Sequence, residues 1–139
     1  MNKRILFILP CRLPVTEVIG DNTGNYVYYL SLMSFFYNQP NVTFLTIDEI
    51  RKKLVSDNEW LKKRFDAAFT AEANLFAECY LNNALKENAQ FIKSLKIPVY
   101  IIGIGIQNNI GNDLENLKPI GGAVKNYMDI VLNSGGSVT

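Results

Sequence analysis

The chain has 139 residues, 48% of them hydrophobic and 19% charged, with 14 basic against 13 acidic side chains. This suits one domain with enough apolar content for a core, and the even charge balance excludes a nucleic-acid footprint. There is no histidine, so the commonest general base and zinc ligand are missing, and Cys11 and Cys79 form no C-x-x-C pair.

Arg4 to Leu9 reads as a first strand. Its apolar core, Ile5 to Leu9, is too short for a secretory signal, and Pro10 ends it. With no signal and two unpaired cysteines, a reducing, cytoplasmic setting is expected. A long loop follows from Pro10 to Gly24. Asn25 to Asn38 is ambiguous: Tyr26, Val27, Tyr28, Tyr29, Phe35 and Phe36 favour a strand by propensity. Length, and the crossover that parallel strands need, favour a helix, which is the reading adopted. Such a helix is apolar nearly all round, so it is either deeply buried or faces a partner. The apolar run Tyr26 to Tyr37 falls short of the roughly 20 residues of a membrane span.

Val42 to Ile47 reads as a second strand, and Asn41-Val42-Thr43 in front of it as a chance glycosylation sequon. Asp48 is expected to cap a helix from Glu49, with Ile50 and Leu54 inward, and Ser56 and Glu59 have capping-box spacing for a restart. Ala67 to Thr70 is a short third strand. Leu81, Leu85, Ala89, Ile92 and Leu95 recur at helical spacing. Val99 to Ile104 is a fourth strand, apolar without alternation, as when both faces are covered. A last helix runs from about Pro119 to Asn133, with Gly135 as its C-terminal cap. Ser137-Val138-Thr139 looks like the start of a fifth strand. A βα repeat stopping there suggests the front part of a longer protein or a truncated product, the alternative being a frayed tail.

The pattern predicts one α/β domain with an open, mainly parallel sheet of four to five strands and helices on both faces, Rossmann- or flavodoxin-like. Right-handed crossovers would gather the βα loops at one edge. With strand order 2-1-3-4, the direction of travel reverses between strands 1 and 3, and ligands bind at such a switch point. Three loops would line it. The first contributes Arg12, Asn22, Thr23, Gly24 and Asn25, next to a helix N-terminus that favours anionic or strongly polar groups. The second contributes Glu72 and Asn74. No catalytic residue is assigned, Glu72 being the candidate carboxylate, with a solvated helix-start acid as the equal alternative. The third contributes Gly103, Gly105, Gln107 and Asn108. Amides and a carboxylate of this kind suit sugar hydroxyls, and a polar turn is the alternative throughout. G-I-G-I-Q is not a dinucleotide fingerprint, and no G-K-[ST] exists for a phosphate loop. No metal and no cofactor is expected.

Three stretches resemble the N-terminal half of the polysaccharide pyruvyl transferase family: G-D-N-T-G-N-Y (20–26), F-D-A-A-F-T-A-E-A-N (65–74) and I-P-V-Y-I-I-G-I-G-I-Q (97–107). The chain departs from the family where Glu72-Ala73 stands for a usual Gly-Gly pair and where Asn25, not Asp, follows Gly24. The resemblance implies the N-terminal lobe of a fold similar to the B-type glycosyltransferases. It further implies an acceptor glycan against this lobe, and transfer of a pyruvyl group from phosphoenolpyruvate to paired sugar hydroxyls once a C-terminal lobe supplies the donor site. Alone, the chain would be inactive. Two other readings stand beside it. One is a non-catalytic flavodoxin-like binding domain that dimerises through Tyr26 to Tyr37. The other is a small α/β hydrolase acting on a nucleoside or sugar through Glu72 and Asp21. A homo-oligomer is compatible with the first two.

Overall fold

The computed structural model describes residues 3–9, 23–71, 84–103 and 122–139. In chain order the elements are β1 (Ile5–Leu9), α1 (Thr23–Phe36), β2 (Val42–Thr46), α2 (Ile47–Ser56), α3 (Trp60–Arg64) and β3 (Ala67–Ala71). After these come α4 (Ala84–Leu95), β4 (Val99–Ile102), α5 (Gly122–Asn133) and β5 (Ser137–Val138). The strands form one sheet in the order β2-β1-β3-β4-β5, every neighbour parallel. This is the open α/β sheet of Rossmann- and flavodoxin-like folds, with its switch point between β1 and β3.

Helices cover both faces unequally. Leu6, Ile8, Ala68, Val99 and Ile101 point into the larger core with Ile50 of α2, Leu61 of α3, Leu85, Ala89, Ile92 and Leu95 of α4, and Tyr127 and Val131 of α5. Phe7, Leu9 and Ala71 point the other way, against Tyr29, Leu32, Met33 and Phe36 of α1. A right-handed crossover demands this split. The step from β1 to β2 runs one way along the sheet, and every later step runs the other, so α1 sits apart from α2 to α5. Among the described residues, α1 is the only helix on its face. In β4, Val99 and Ile101 are therefore fully buried while Tyr100 and Ile102 are only partly so. The expectation that both faces of β4 are covered is met on the Val99 and Ile101 face and only in part on the Tyr100 and Ile102 face. Tyr100 instead stacks on Phe69, with ring centroids 5.0 Å apart.

The ambiguous segment is a helix. Its burial has helical period, with Tyr29, Leu32, Met33 and Phe36 turned inward and Val27, Leu30, Ser31, Ser34 and Phe35 exposed. The expectation of a helix was met, but deep burial is excluded. β-propensity lost here because two parallel strands cannot be joined without a crossover.

Two caps differ from expectation. Thr46, not Asp48, caps α2. Its hydroxyl accepts the Glu49 N–H at 3.2 Å, and the Glu49 carboxylate accepts the Thr46 N–H at 2.9 Å. The pattern Thr-Ile-Asp-Glu is thus a capping box that starts the helix two residues before the expected Asp48 cap, and Asp48 falls within the first turn. Ser56 and Glu59 form no capping box. The Ser56 hydroxyl donates to the Lys53 carbonyl at 2.8 Å, and α3 starts without a side-chain cap at Glu59. Asp57 instead accepts the Glu59 N–H at 3.0 Å.

α5 ends as expected at Gly135, which has φ 86° and donates its N–H to the Leu132 carbonyl at 3.0 Å. β5 then pairs with β4, Tyr100 opposite Ser137 and Ile101 opposite Val138, so Ser137 to Thr139 is not a frayed tail.

Candidate functional site

The two sheet edges differ at the switch point. At the amino edge, β1 and β3 are clamped by Arg4 and Asp66. The Arg4 N–H donates to Asp66 Oδ2 at 2.7 Å and its guanidinium to Oδ1 at 3.0 Å, while the Asp66 N–H donates to the Arg4 carbonyl at 2.8 Å. At the carboxyl edge the same strands part. β1 pairs with β2 as far as Leu9 opposite Thr46, and β3 with β4 as far as Ala71 opposite Ile102. Between β1 and β3, however, pairing stops at Phe7 opposite Phe69. The last two residues of each strand therefore run without a ladder between them. This gap in the ladder, a notch roughly 7 Å long at about 3.3 Å per residue, is flanked by buried residues, Ile8, Leu9, Thr70 and Ala71.

Several elements converge on this notch. α1 begins at Thr23, so its amino end lies at the carboxyl edge, and its first turn holds no acidic residue. Tyr29 donates its hydroxyl to the carbonyl of Ala71, tying α1 to the last residue of β3. α2 begins at the same edge but is closed by its own Glu49. A helix start without an acid of its own favours a polar or anionic group, whereas one holding its own carboxylate does not. Beneath the notch lies a cavity of about 10 Å³ lined by Ile8, Ile47, Thr70, Asn88, Phe91, Ile92 and Tyr127. That is room for about one water and no ligand.

Of the sequence-predicted site residues, Thr23, Gly24 and Asn25 form the first turn of α1, at the expected edge. Gly103 follows β4 at that edge with φ 74°. Its N–H donates to the Thr139 carbonyl at 2.8 Å, and Thr139 returns its own N–H to Ile101 at 3.0 Å. The Gly103 amide thus serves the β4–β5 connection, and its left-handed backbone conformation explains this glycine. Arg12, Asn22, Glu72, Asn74, Gly105, Gln107 and Asn108 lie outside the described residues, as do Asp21 and both cysteines. The convergence of the three loop origins, after Leu9, Ala71 and Ile102, is present. Sequence reasoning missed Tyr29 as the anchor of α1, because an aromatic in an apolar helix carries no signal of a hydrogen-bond role.

The perturbed ionisable groups do not mark this site. Asp57, Glu59 and Asp66 all titrate below the usual carboxylate range. Lys63 donates a hydrogen bond to Asp57, Lys96 to Glu59 and Arg4 to Asp66. All three pairs lie at the amino edge, before β1, β3 and β4, and hold strand starts and α3 in place. Because folding depresses these acids, the stabilisation is fully present above their unfolded values, near pH 4. It is lost as pH falls through the lower folded values. The urea-unfolding midpoint is expected to be flat near neutrality, to fall below about pH 4, and to fall less in high salt, since these pairs are solvent-exposed. A midpoint that rises on acidification would contradict the pairing.

Among the described residues no three His, Cys, Asp or Glu side chains are placed to hold a metal, and no helix is long and apolar enough to cross a membrane. Comparison with protein-family models, with curated proteins and with solved structures found no match.

Proposed function

We propose that this domain is the acceptor-binding lobe of a polysaccharide pyruvyl transferase-like enzyme, holding a sugar at the notch between β1 and β3. The observation that carries the reading is the early end of β1–β3 pairing at the carboxyl edge, beside an α1 whose first turn holds no acidic residue. The reading is supported by the loops rich in amides that the sequence starts after Leu9, Ala71 and Ile102, at that same edge. Such groups match the donors and acceptors of paired sugar hydroxyls. Phosphoenolpyruvate, a trianion, calls for convergent Arg or Lys contacts. Arg4, Lys63 and Lys96 are committed to carboxylates at the opposite edge. In this reading, as the family resemblance implies, a second lobe supplies most of the donor site and the general base.

Amide-resolved NMR titration tests this. Pyruvylatable sugars and their oligomers are expected to shift the amides of Leu9, Ala71 and Thr23 to Asn25, while phosphoenolpyruvate leaves them in place. The purified chain is expected to transfer no pyruvyl group. Sugar shifts confined to other surfaces, or none with any sugar, would overturn the acceptor site. Ketal formation by the chain alone would overturn its dependence on a second lobe.

A further inference from the structure

We infer that the outer face of α1 is a self-association surface, and that two copies of this chain pair through it with their α1 helices antiparallel. The inference does not depend on what the notch binds. Among the described residues six large hydrophobic side chains are exposed, and four of them are on or next to this helix: Val27 (61%), Leu30 (54%), Phe35 (75%) and Tyr37 (74%). Val55 and Leu132 stand singly elsewhere. Scattered exposed apolar residues need no explanation, but a contiguous stripe does.

Charge decides what kind of occupant fits. From Thr23 to Ile47 the chain carries no charged residue, although 19% of the whole is charged. A basic or acidic partner would find no counter-charge on this face, whereas a second copy brings the same neutral surface and opposes no like charges. The Ser34 hydroxyl, near the centre of the stripe, already donates to the Ser31 carbonyl at 2.6 Å. Covering it strands no donor.

Shape favours an isologous pair, in which the same patch serves both copies. Positions 27, 30, 31, 34 and 35 form one stripe at helical spacing, with small serines between large side chains. A two-fold axis near Ser31 sets Val27 of one copy against Phe35 of the other and brings the two small Ser31 side chains together at the centre. Small centres let helices approach, and large ends fill the flanks. One helix pair buries less than the roughly 1,200 Å² of a standard interface, so a weak, concentration-dependent dimer is expected.

Sedimentation equilibrium of the wild-type chain across micromolar to millimolar concentrations tests this. The mass is expected to rise from monomer to dimer and stop there. Val27→Glu and Phe35→Lys, each at an exposed position, are expected to raise the dissociation constant at least about tenfold while leaving the melting temperature nearly unchanged. The double variant Val27→Glu/Phe35→Lys, or an equimolar mixture of the two single variants, is expected to recover dimerisation, because the introduced carboxylate then faces the introduced ammonium across the axis. A wild-type monomer throughout the range would overturn the inference. So would a dimer indifferent to both single substitutions, and failure of the double variant to recover would overturn the antiparallel register.

Discussion

Gly136→Ala is expected to cost about 3 kcal/mol or more and to release β5 from the sheet. A Cβ on Gly136 would lie 1.7 Å from the carbonyl oxygen of Val99, 2.5 Å from its carbonyl carbon and 2.8 Å from its nitrogen. All three are backbone atoms of β4, so no side-chain rotation relieves the overlap, and either β4 or β5 must move. β4 is held on its other edge by four paired positions with β3, whereas β5 contributes two residues and is the more easily displaced. Its departure would break the Gly103-to-Thr139 and Thr139-to-Ile101 hydrogen bonds. Hydrogen exchange at the Gly103 and Thr139 amides should therefore accelerate far more than at Ala68 or Phe69. Gly135→Ala is the control. That position has φ 86° but only the Pro98 ring nearby, at 3.7 Å. Strain there acts without collision, and the loss is expected near about 1 kcal/mol. Equal losses at both positions would mean that β5 does not run where it is described.

Phe7→Ala is expected to cost about 3–5 kcal/mol, a large share of the roughly 5–15 kcal/mol typical of a domain. Phe7 is fully buried in β1 and is the centre of the smaller core. Its ring lies 5.5 Å from that of Phe36 in α1 and 5.4 Å from that of Phe44 in β2, and Phe36 in turn lies 5.9 Å from Phe69 in β3. Removing the ring leaves a cavity under a helix that has no other helix beside it among the described residues. The deficit should therefore appear first as faster exchange in α1, with α4 and α5 on the opposite face less affected. Urea unfolding measures the total. A loss below about 1 kcal/mol, far under the usual cost of emptying an aromatic site, would mean that α1 does not rest on Phe7.

What could be read from residues alone was periodicity and punctuation. The regular spacing of Leu81, Leu85, Ala89, Ile92 and Leu95 marked α4, whose described part starts at Ala84, and the short apolar runs read at 4–9, 42–47 and 67–70 marked strands to within one residue at each end. Gly135 marked a helix end, and the alternation of elements implied a parallel sheet. Strand order was an assumption, one of the few that handedness allows, and the sheet has the assumed order. Local patterns were less reliable where two residues compete for one role: Thr46 and Asp48 both have capping chemistry, and only the backbone path selected Thr46. Most of the candidate binding residues, Arg12, Glu72 and Gln107 among them, lie outside the described residues, so their convergence stays an expectation carried by the strand ends.

Residue order by itself thus determined the class of fold and the edge from which the βα loops leave, because hydrogen-bonded strands and right-handed crossovers follow from chain chemistry. Only tertiary structure decided that β1 and β3 are clamped by Arg4 and Asp66 at one end and part at the other. It also decided which side of the uncharged α1 is covered. Apolar residues ring that helix, so its pattern holds no preferred face, and the choice was made by the Phe7, Phe44 and Phe69 side chains of the sheet on which it packs.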